Sequence, residues 1–313
     1  MDQVSNSRRA IATWKLRTRT LQLGARTLVC GVVNITPDSF SDGGLFLDPA
    51  AAVRHALQLL DEGADLLDLG AESTRPRSHT GGGSAETPAV SATEEQARLL
   101  PVLEGILCAR PEAIVSVDTY KAETARAALA AGAEIINDVS GFTWDTAMPA
   151  VCAQSGAGVV LMHTRGRPGE WRSQPQLAPD ALLAMVRDGL RASMETAEAV
   201  GIAPESIVLD PGYGFGKRFD ENYALLARQH ELLALGRPLL AGLSRKSFLG
   251  HTLAPLYAGN DAPVTARETA SLAALVAAIL HGASIVRVHA VRPAVEAARV
   301  ADAILEVHPS GNH

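Results

Sequence analysis

The sequence predicts an α/β fold, a single (β/α)8 TIM barrel with a short N-terminal hairpin. Short runs of apolar and β-branched residues alternate with longer Ala/Leu stretches of helical period along the 313 residues. The apolar share of 47% with only 4% aromatic residues suits a large aliphatic core. Successive βα units imply parallel strands with right-handed crossovers, for which the barrel is the commonest closed form. An open, doubly wound sheet is the alternative.

The first predicted strand covers residues 27–34, and a helix over 49–62 follows it. The other seven strands are predicted at 65–70, 113–118, 134–138, 158–163, 206–210, 238–243 and 284–289. Helical patterns separate the strands, and the last helix covers 291–306. Residues 14–16 and 20–23 are predicted to form a hairpin that covers the barrel floor. We therefore divide the chain into an extension with the hairpin, 1–26, and a barrel, 27–308.

Composition also restricts the kind of partner. A formal net charge of −6 without a dense Lys/Arg run argues against binding to nucleic acid. The longest apolar run, 272–280, is too short to cross a membrane, and no signal peptide is recognisable. Cys30, Cys108 and Cys152 are far apart in apolar segments, so we expect buried, reduced thiols. We expect a soluble, cytoplasmic protein.

Polar residues stand at or just after the carboxyl end of every predicted strand. In a parallel barrel these positions meet at one rim, the face at which barrel enzymes place their chemistry. A single polar residue there is more often a loop cap, but polar groups at all eight strand ends predict a site. They are Asn34, Glu72, Asp118, Asn137, Asp138, His163, Asp210, Ser244, Arg245, Lys246, Arg287 and His289.

These residues fall into two chemical groups. Asp118, Asn137 and Asp210 offer hydrogen-bond acceptors and an amide, which suit a flat heterocycle with a guanidine-like edge. The second group offers positive charge and donors, which suit a diphosphate or a carboxylate. It consists of Arg75, Lys246, Arg287 and His289. A local cationic ring on an acidic protein favours a small anionic ligand over a polymer.

Three weaker motifs are set aside. Residues 212–217 lack the spacing of a P-loop and of a dinucleotide-binding loop, so their glycines are interpreted as a tight loop near a ligand. Asn34-Ile35-Thr36 matches a glycosylation sequon but lacks a secretion signal. His163 and His289 have no second histidine or cysteine at metal-ligand spacing.

Together, the strand-end motifs resemble those of the dihydropteroate synthases. Residues 31–44 (GVVNITPDSFSDGG) are similar to the first motif of that family, and 72–76 (ESTRP) to the second. Further matches are SVDT at 116–119, IND at 136–138, LMH at 161–163, LDPGYGFGK at 209–217, GLSRKS at 242–247 and RVH at 287–289. The resemblance covers about residues 28–305 in order and spacing.

The resemblance implies the reaction of 6-hydroxymethyl-7,8-dihydropterin diphosphate with p-aminobenzoate, which yields 7,8-dihydropteroate and diphosphate. It also implies a homodimer and competitive inhibition by sulfonamides. The pterin would contact Asp118, Asn137, Asp210 and Lys246. The diphosphate would contact Asn34, Thr74, Arg287 and His289, with Mg2+ bound through Asn34. The p-aminobenzoate pocket would comprise Thr74, Arg75, Pro76, Phe215 and Ser247. The expected catalytic residues are Asp42, Arg75, Asp118 and Lys246, of which Asp42 and Arg75 would close the site.

Two alternatives remain at this point: a pterin-dependent corrinoid methyltransferase and a non-catalytic pterin-binding homologue. The first would need the pterin acids but not the diphosphate ring. One segment departs from the family pattern, because Arg77 replaces a glycine and residues 77–89 are longer than usual. This segment is either a tolerated surface insertion or a modifier of p-aminobenzoate binding.

Overall fold

The computed structural model describes residues 9–35, 48–72 and 90–307. Its strands are β1 Ala12–Lys15, β2 Thr20–Leu23, β3 Leu28–Asn34, β4 Leu66–Gly70, β5 Val115–Asp118, β6 Ile135–Asp138, β7 Gly158–Met162, β8 Ile207–Asp210, β9 Leu239–Ala241 and β10 Ala283–Val288. Its α-helices are α1 Pro49–Asp61, α2 Ala92–Ala109, α3 Ala122–Ala130, α4 Met148–Ser155, α5 Pro179–Ala199, α6 Phe219–Ala227, α7 Ser247–Thr252, α8 Glu268–Leu280 and α9 Val291–Glu306. Short 3-10 helices lie at Pro168–Ser173, Pro204–Ser206, Gln229–Leu235, Ala254–Tyr257 and Val264–Ala266.

Strands β3 to β10 form a closed parallel barrel, since β10 pairs with both β9 and β3. The predicted (β/α)8 barrel is therefore confirmed, and the open sheet is excluded. The predicted seventh barrel strand was too long, because β9 contains only Leu239–Ala241. Parallel strands covered on both faces are expected to be apolar throughout. Strand β7 shows this, since its five residues (GVVLM) carry no polar side chain and are all buried.

Local capping fixes where two of the surrounding helices begin. Asp48 precedes α1 and its carboxylate accepts a hydrogen bond from Ala50 N at 2.9 Å. Ser91 precedes α2 and its hydroxyl accepts from Glu94 N at 3.2 Å. Both side chains satisfy backbone N–H groups that a first helical turn leaves unpaired.

The β1–β2 hairpin closes the amino end of the barrel. Trp14 and Leu23 are fully buried, and Trp14 Nε1 donates to the Ser206 carbonyl at 3.0 Å. Both belong to one apolar cluster inside the barrel, which we call the floor cluster. Its members are Trp14, Leu16, Leu23, Leu28, Cys30, Leu66, Ile135, Val160, Val208, Leu240 and Ile285. The predicted hairpin over the barrel floor is thus confirmed.

The cysteines are all free thiols, and Cys30 and Cys152 are buried as predicted. The prediction was wrong for Cys108, which is exposed. It lies two residues after the buried Ile106 on α2, and a two-residue step places it on the opposite side of the helix. Among the helices in the described ranges, none has the length and hydropathy needed to cross a membrane.

Replacing Trp14 with Ala should destabilise the fold, because the side chain is 0% exposed and its indole N–H is paired. We expect the free energy of unfolding to fall by about 3–5 kcal/mol, measured by urea denaturation. Ile11→Ala is the control, since Ile11 is 66% exposed in the same segment. A Trp14→Ala loss no larger than that of Ile11→Ala would contradict the role of the floor cluster.

Candidate active site

A cleft opens at the carboxyl end of the barrel strands. It contains about 300 Å³ of space outside the protein atoms, part of which is open to solvent. The lining combines acceptors, cations and a few apolar side chains. Its residues are Asn137, Val139, Met162, Asp210, Tyr213, Phe215, Gly242, Lys246 and Arg287.

Two carboxylates and one guanidinium meet at the bottom of this cleft. Arg287 Nε donates to Asp68 Oδ2 at 2.5 Å, and Arg287 Nη2 donates to Asp118 Oδ2 at 2.8 Å. Asp68 also accepts from Ser116 Oγ at 2.7 Å and from Asn137 Nδ2 at 3.1 Å. We call these five residues the mouth network. Three strands on one side of the barrel are thereby linked to β10, which supplies the arginine.

The mouth network alters the titration of its members. Burial raises the pKa of Asp118 to about 7; the Arg287 guanidinium opposes this rise, whereas Asp68 adds to it. Burial acts to lower the pKa of Arg287, but Asp68 and Asp118 outweigh it, so that this pKa lies above its ordinary value. Arg287 therefore stays charged while Asp118 changes protonation near neutral pH.

Asp210 ends β8 on the opposite side of the cleft. Its Oδ1 accepts from Gly212 N at 2.7 Å, which fixes the carboxylate plane. Burial raises the pKa of Asp210, against the lowering effects of this hydrogen bond and of Lys246. A Cβ built on Gly242 would lie 3.8 Å from Asp210 Oδ2 and 3.9 Å from Arg287 Cβ. The missing side chain of Gly242 leaves room for a ligand between these two groups.

Lys246 and Phe215 form the wall of the cleft toward the surface. Lys246 precedes α7, and its Nζ lies 4.1 Å from the centroid of the Phe215 ring. Trp171 packs against the same ring edge to face, with centroids 5.1 Å apart. Ser247, the first residue of α7, follows directly and is exposed. A flat aromatic substrate can therefore reach both Phe215 and Ser247 from outside.

His289 and Asn34 lie on adjacent strand ends at the rim. Ser244 positions His289, since its Oγ lies 3.0 Å from His289 Nδ1 and accepts from His289 N at 3.3 Å. Asn34 is the last residue of β3, and its side chain is half-buried. The structure therefore brings together eight predicted site residues and places Ser247 next to them. The eight are Asn34, Asp118, Asn137, Asp210, Phe215, Lys246, Arg287 and His289.

Three other polar strand-end residues point away from the cleft. Asp138 is fully buried and caps its own loop, accepting from Ser140 N at 2.7 Å and Phe142 N at 2.9 Å. His163 packs against α5, because a Cβ on Gly189 would lie 2.6 Å from its ring. Arg245 Nε lies 3.2 Å from Glu268 of α8. For these three, the expectation that every strand-end group joins the site was wrong.

The glycine-rich segment 211–217 is a tight loop, as the sequence suggested. Gly212 has a φ of +70°, and any side chain there would collide with the His163 carbonyl. Lys217 Nζ donates to the carbonyls of Gly212 at 2.7 Å and His163 at 3.2 Å. Burial lowers the pKa of Lys217 to about 7. Lys217 therefore folds the loop that carries Phe215 instead of binding an anion.

Asp42, Thr74, Arg75 and Pro76 lie outside the described residues, as does the segment 77–89. The last described residue before that gap, Glu72, pairs with Lys121 and accepts from Tyr120 Oη at 3.3 Å. Glu72 Oε1 also accepts from Val90 N at 3.3 Å, the first described residue after the gap. The two ends of the second βα connection are thus held together.

Asp68 is the site residue that the sequence interpretation missed. It lies inside an apolar strand, Leu66–Gly70, rather than at its end. A signal was present, because an ionisable residue in a strand covered on both faces needs partners inside the protein.

A closed barrel with carboxylates, an amide and fixed cations around one cleft at its strand ends has the arrangement of a barrel enzyme's active site. Residues 30–289 match a family model described as pterin binding enzyme. A dihydropteroate synthase of Mycobacterium leprae is 45% identical, over 90% of this chain and 94% of that protein. The corresponding protein of Escherichia coli K12 is 43% identical, over 88% of this chain and 91% of that protein. The chain belongs to the dihydropteroate synthase family.

Solved structures agree in fold and ligand class. A Xanthomonas albilineans dihydropteroate synthase with 4-aminobenzoic acid gives a TM-score of 0.81 at 39% identity, covering 96% of this chain and all of that one (100%). The same enzyme with 7,8-dihydropteroate gives a TM-score of 0.78 at 38% identity, covering 94% of this chain and 100% of that one. A Yersinia pestis dihydropteroate synthase with a sulfonamide drug gives a TM-score of 0.81 at 38% identity, covering 93% of this chain and 98% of that one. The predicted family and enzyme class, a pterinylmethyl transferase, are confirmed, and neither alternative is favoured.

Replacing Arg287 with Met should raise the pKa of Asp118 above about 7, because the guanidinium is the strongest of the groups that oppose the effect of burial. The carboxyl titration can be followed by NMR with 13C-labelled aspartate, using Asp118→Asn to assign the signal. Arg245→Met is the control, since Arg245 pairs with Glu268 instead. An Asp118 midpoint that stays unchanged or falls in Arg287→Met would contradict the assignment.

Proposed function

We propose that this chain joins 6-hydroxymethyl-7,8-dihydropterin diphosphate to p-aminobenzoate, releasing 7,8-dihydropteroate and diphosphate. The observation that carries the proposal is the composition of the cleft. Its inner part presents Asp118, Asn137 and Asp210 with Arg287 beside them, and its outer part presents Lys246 and Phe215. A neutral, donor-rich heterocycle fits the first group, and an anion fits the second.

The pterin lies against the inner residues. Its amino group and ring N–H groups form a donor edge that one carboxylate accepts in parallel, and Asp210 is oriented for this by Gly212 N. Asn137 and Asp118 accept the donors on other parts of the ring. Lys246, above Phe215, donates to the ring's acceptor atoms. The buried polar groups of the cleft are then matched, which makes recognition selective.

The diphosphate departs toward the rim. Arg287 lies on β10 and His289 directly follows that strand, so the two side chains place donors along the path of the leaving group. The bond between the methylene carbon and the diphosphate oxygen breaks, and its electron pair leaves with the oxygen. The pterin ring carries the resulting positive charge, which the Asp118 and Asp210 carboxylates stabilise. The aniline nitrogen then bonds to the methylene carbon and loses one proton to solvent.

p-Aminobenzoate binds against Phe215, with Ser247 near its carboxylate. The aniline is a weak nucleophile, so alignment contributes more than a base. Thr74, Arg75 and Pro76 complete this pocket, and Asp42 and Arg75 exclude water while the cation exists. Sulfonamides compete for the same pocket. The enzyme acts as a homodimer in the cytoplasm.

Mg2+ is the implied cofactor, and the residues present fit it. Within the described ranges, no group of three His, Cys, Asp or Glu side chains could hold a metal ion. Asn34 offers one neutral oxygen at the rim, which suits an ion that keeps its waters and takes oxygens from a substrate diphosphate. When bound, Mg2+ neutralises charge on the departing diphosphate.

A turnover assay with both substrates and Mg2+ tests the function directly. We expect dihydropteroate formation that EDTA abolishes, and Asn34→Ala should raise the Mg2+ concentration needed for half-maximal rate. Calorimetric binding of 6-hydroxymethylpterin, which lacks the diphosphate, should be the same with and without EDTA. Pterin binding without turnover would identify a non-catalytic homologue, and methyl transfer from methyltetrahydrofolate would identify the corrinoid alternative.

Asp210→Asn should weaken pterin binding strongly while preserving the shape of the pocket. The new NH2 group faces pterin donors, and a mismatched buried pair costs about 3 kcal/mol, or roughly a hundredfold in Kd. Asp138→Asn is a matched control, because Asp138 also accepts from the backbone N–H two residues on, at 2.7 Å. Calorimetry that shows equal pterin affinity in both variants would remove Asp210 from the pocket.

A further inference from the structure

Asp68 is the deepest member of the mouth network, with a relative exposure of 1%. It is paired in register with Ser116 on β5, and Gly70 is paired with Asp118. Side chains two residues apart on a strand point to the same face. Leu66 belongs to the floor cluster, so Asp68 is the next inward position above it. Asp68 therefore lies between the apolar floor and the cleft.

The partners of Asp68 are all donors. Oδ1 accepts from Ser116 Oγ at 2.7 Å, whereas Oδ2 accepts from Asn137 Nδ2 at 3.1 Å and from Arg287 Nε at 2.5 Å. An ionised carboxylate has no proton to donate, so it accepts only the NH2 side of a carboxamide. The Asn137 amide oxygen is consequently directed away from Asp68.

We propose that Asp68 is a positioning residue for pterin recognition: it fixes the Asn137 carboxamide with its NH2 group inward and its oxygen toward the cleft. The proposal rests on the proposed role of Asn137 in pterin binding. Asn137 lines the cleft, whereas Asp68 is not among the lining residues and reaches the cleft only through its hydrogen bond with Asn137 and its pair with Arg287. Arg287 uses the same Asp68 oxygen, so the amide and the guanidinium share one anchor.

The fixed amide orientation has a chemical consequence. The two sides of a carboxamide have nearly the same shape but opposite hydrogen-bonding character. An Asn137 that turned over would present NH2 to pterin N–H groups, and two donors would face each other in a buried site. Asp68 removes this second orientation before the ligand arrives, which is preorganisation of the pocket.

Asp68→Asn tests the proposal because it keeps the shape but places a donor among three donors. We expect the Kd for 6-hydroxymethylpterin to increase about 30-fold by calorimetry, as expected for a mismatched buried pair. Glu134→Gln is the matched control at the opposite end of the barrel. Glu134 is 3% exposed and accepts from Thr18 N at 2.9 Å. The control should lower the unfolding midpoint and leave the Kd unchanged.

A double-mutant cycle separates positioning from simple support of the fold. In the Asn137→Ala background, Asp68→Asn should change the pterin Kd by less than about threefold, because the group it positions is absent. An equal loss in both backgrounds, or no loss in the wild-type background, overturns the proposal. Failure of the wild-type chain to bind the pterin would instead contradict the proposed function.

A measurement on the unaltered chain covers the case in which Asp68→Asn does not fold. The side-chain NH2 signals of 15N-labelled asparagine can be assigned to Asn137 by their loss in Asn137→Ala. These protons should exchange slowly with solvent before pterin is added and keep their shifts within the Asp68 hydrogen bond afterwards. Rapid exchange without ligand, or protection that appears only with pterin, overturns the proposal.

Discussion

The Asp68–Arg287–Asp118 arrangement is the interaction on which the geometry of the cleft depends. Arg287 on β10 reaches past β3 to carboxylates on β4 and β5, at 2.5 and 2.8 Å. Burying three charges carries a large desolvation cost, and replacing them with apolar side chains would often stabilise a protein. Their presence therefore indicates function. When both carboxylates are ionised, the guanidinium compensates one of them, and the other supplies a negative charge where the proposed pterin cation forms.

A two-residue period explains which side chains join this arrangement. The floor cluster contains Leu66, Ile135, Val208 and Ile285, which point into the barrel. Two positions further along the same strands are Asp68, Asn137, Asp210 and Arg287, which therefore also point inward. The outward positions belong to the cluster between the barrel and the helices, for example Ile136, Leu161 and Leu209. Asp138 and His163 follow that outward series.

Much of the fold and part of the site could be predicted from the sequence for the same reason. Strand positions came from apolar runs, and every strand boundary lies within two residues of its predicted position. Strand-end chemistry identified Asp118, Asn137, Asp210 and Lys246, and the family motifs assigned them to a pterin. The sequence-based prediction placed all strand-end residues in one site. Side chains alternate between the two faces of a strand, however, so Asn137 points into the barrel and Asp138 points toward the helices.

The remaining features depend on relations between strands that no local pattern records. Asp68 was missed because its partners are distant in the sequence: Ser116, Asn137 and Arg287. Arg287 was assigned to the diphosphate alone, and only the closed sheet shows that it also binds Asp68 and Asp118. The exposure of Cys108 follows from the orientation of α2 against the barrel, which hydrophobicity around the residue did not indicate.

The titration behaviour of the cleft connects its stability with its chemistry. Burial raises the pKa of Asp118 to about 7, and it also raises the pKa of Asp210. When the pKa of a carboxyl group is higher in the folded chain than in the unfolded one, the free energy of unfolding falls as the pH rises from the unfolded-state pKa to the folded-state pKa. At neutral pH the empty cleft is therefore a destabilising element, which the apolar floor at the other end of the barrel offsets. Donors on a bound pterin favour the ionised carboxylates, so the ligand stabilises the charge state that the pterinylmethyl transfer requires.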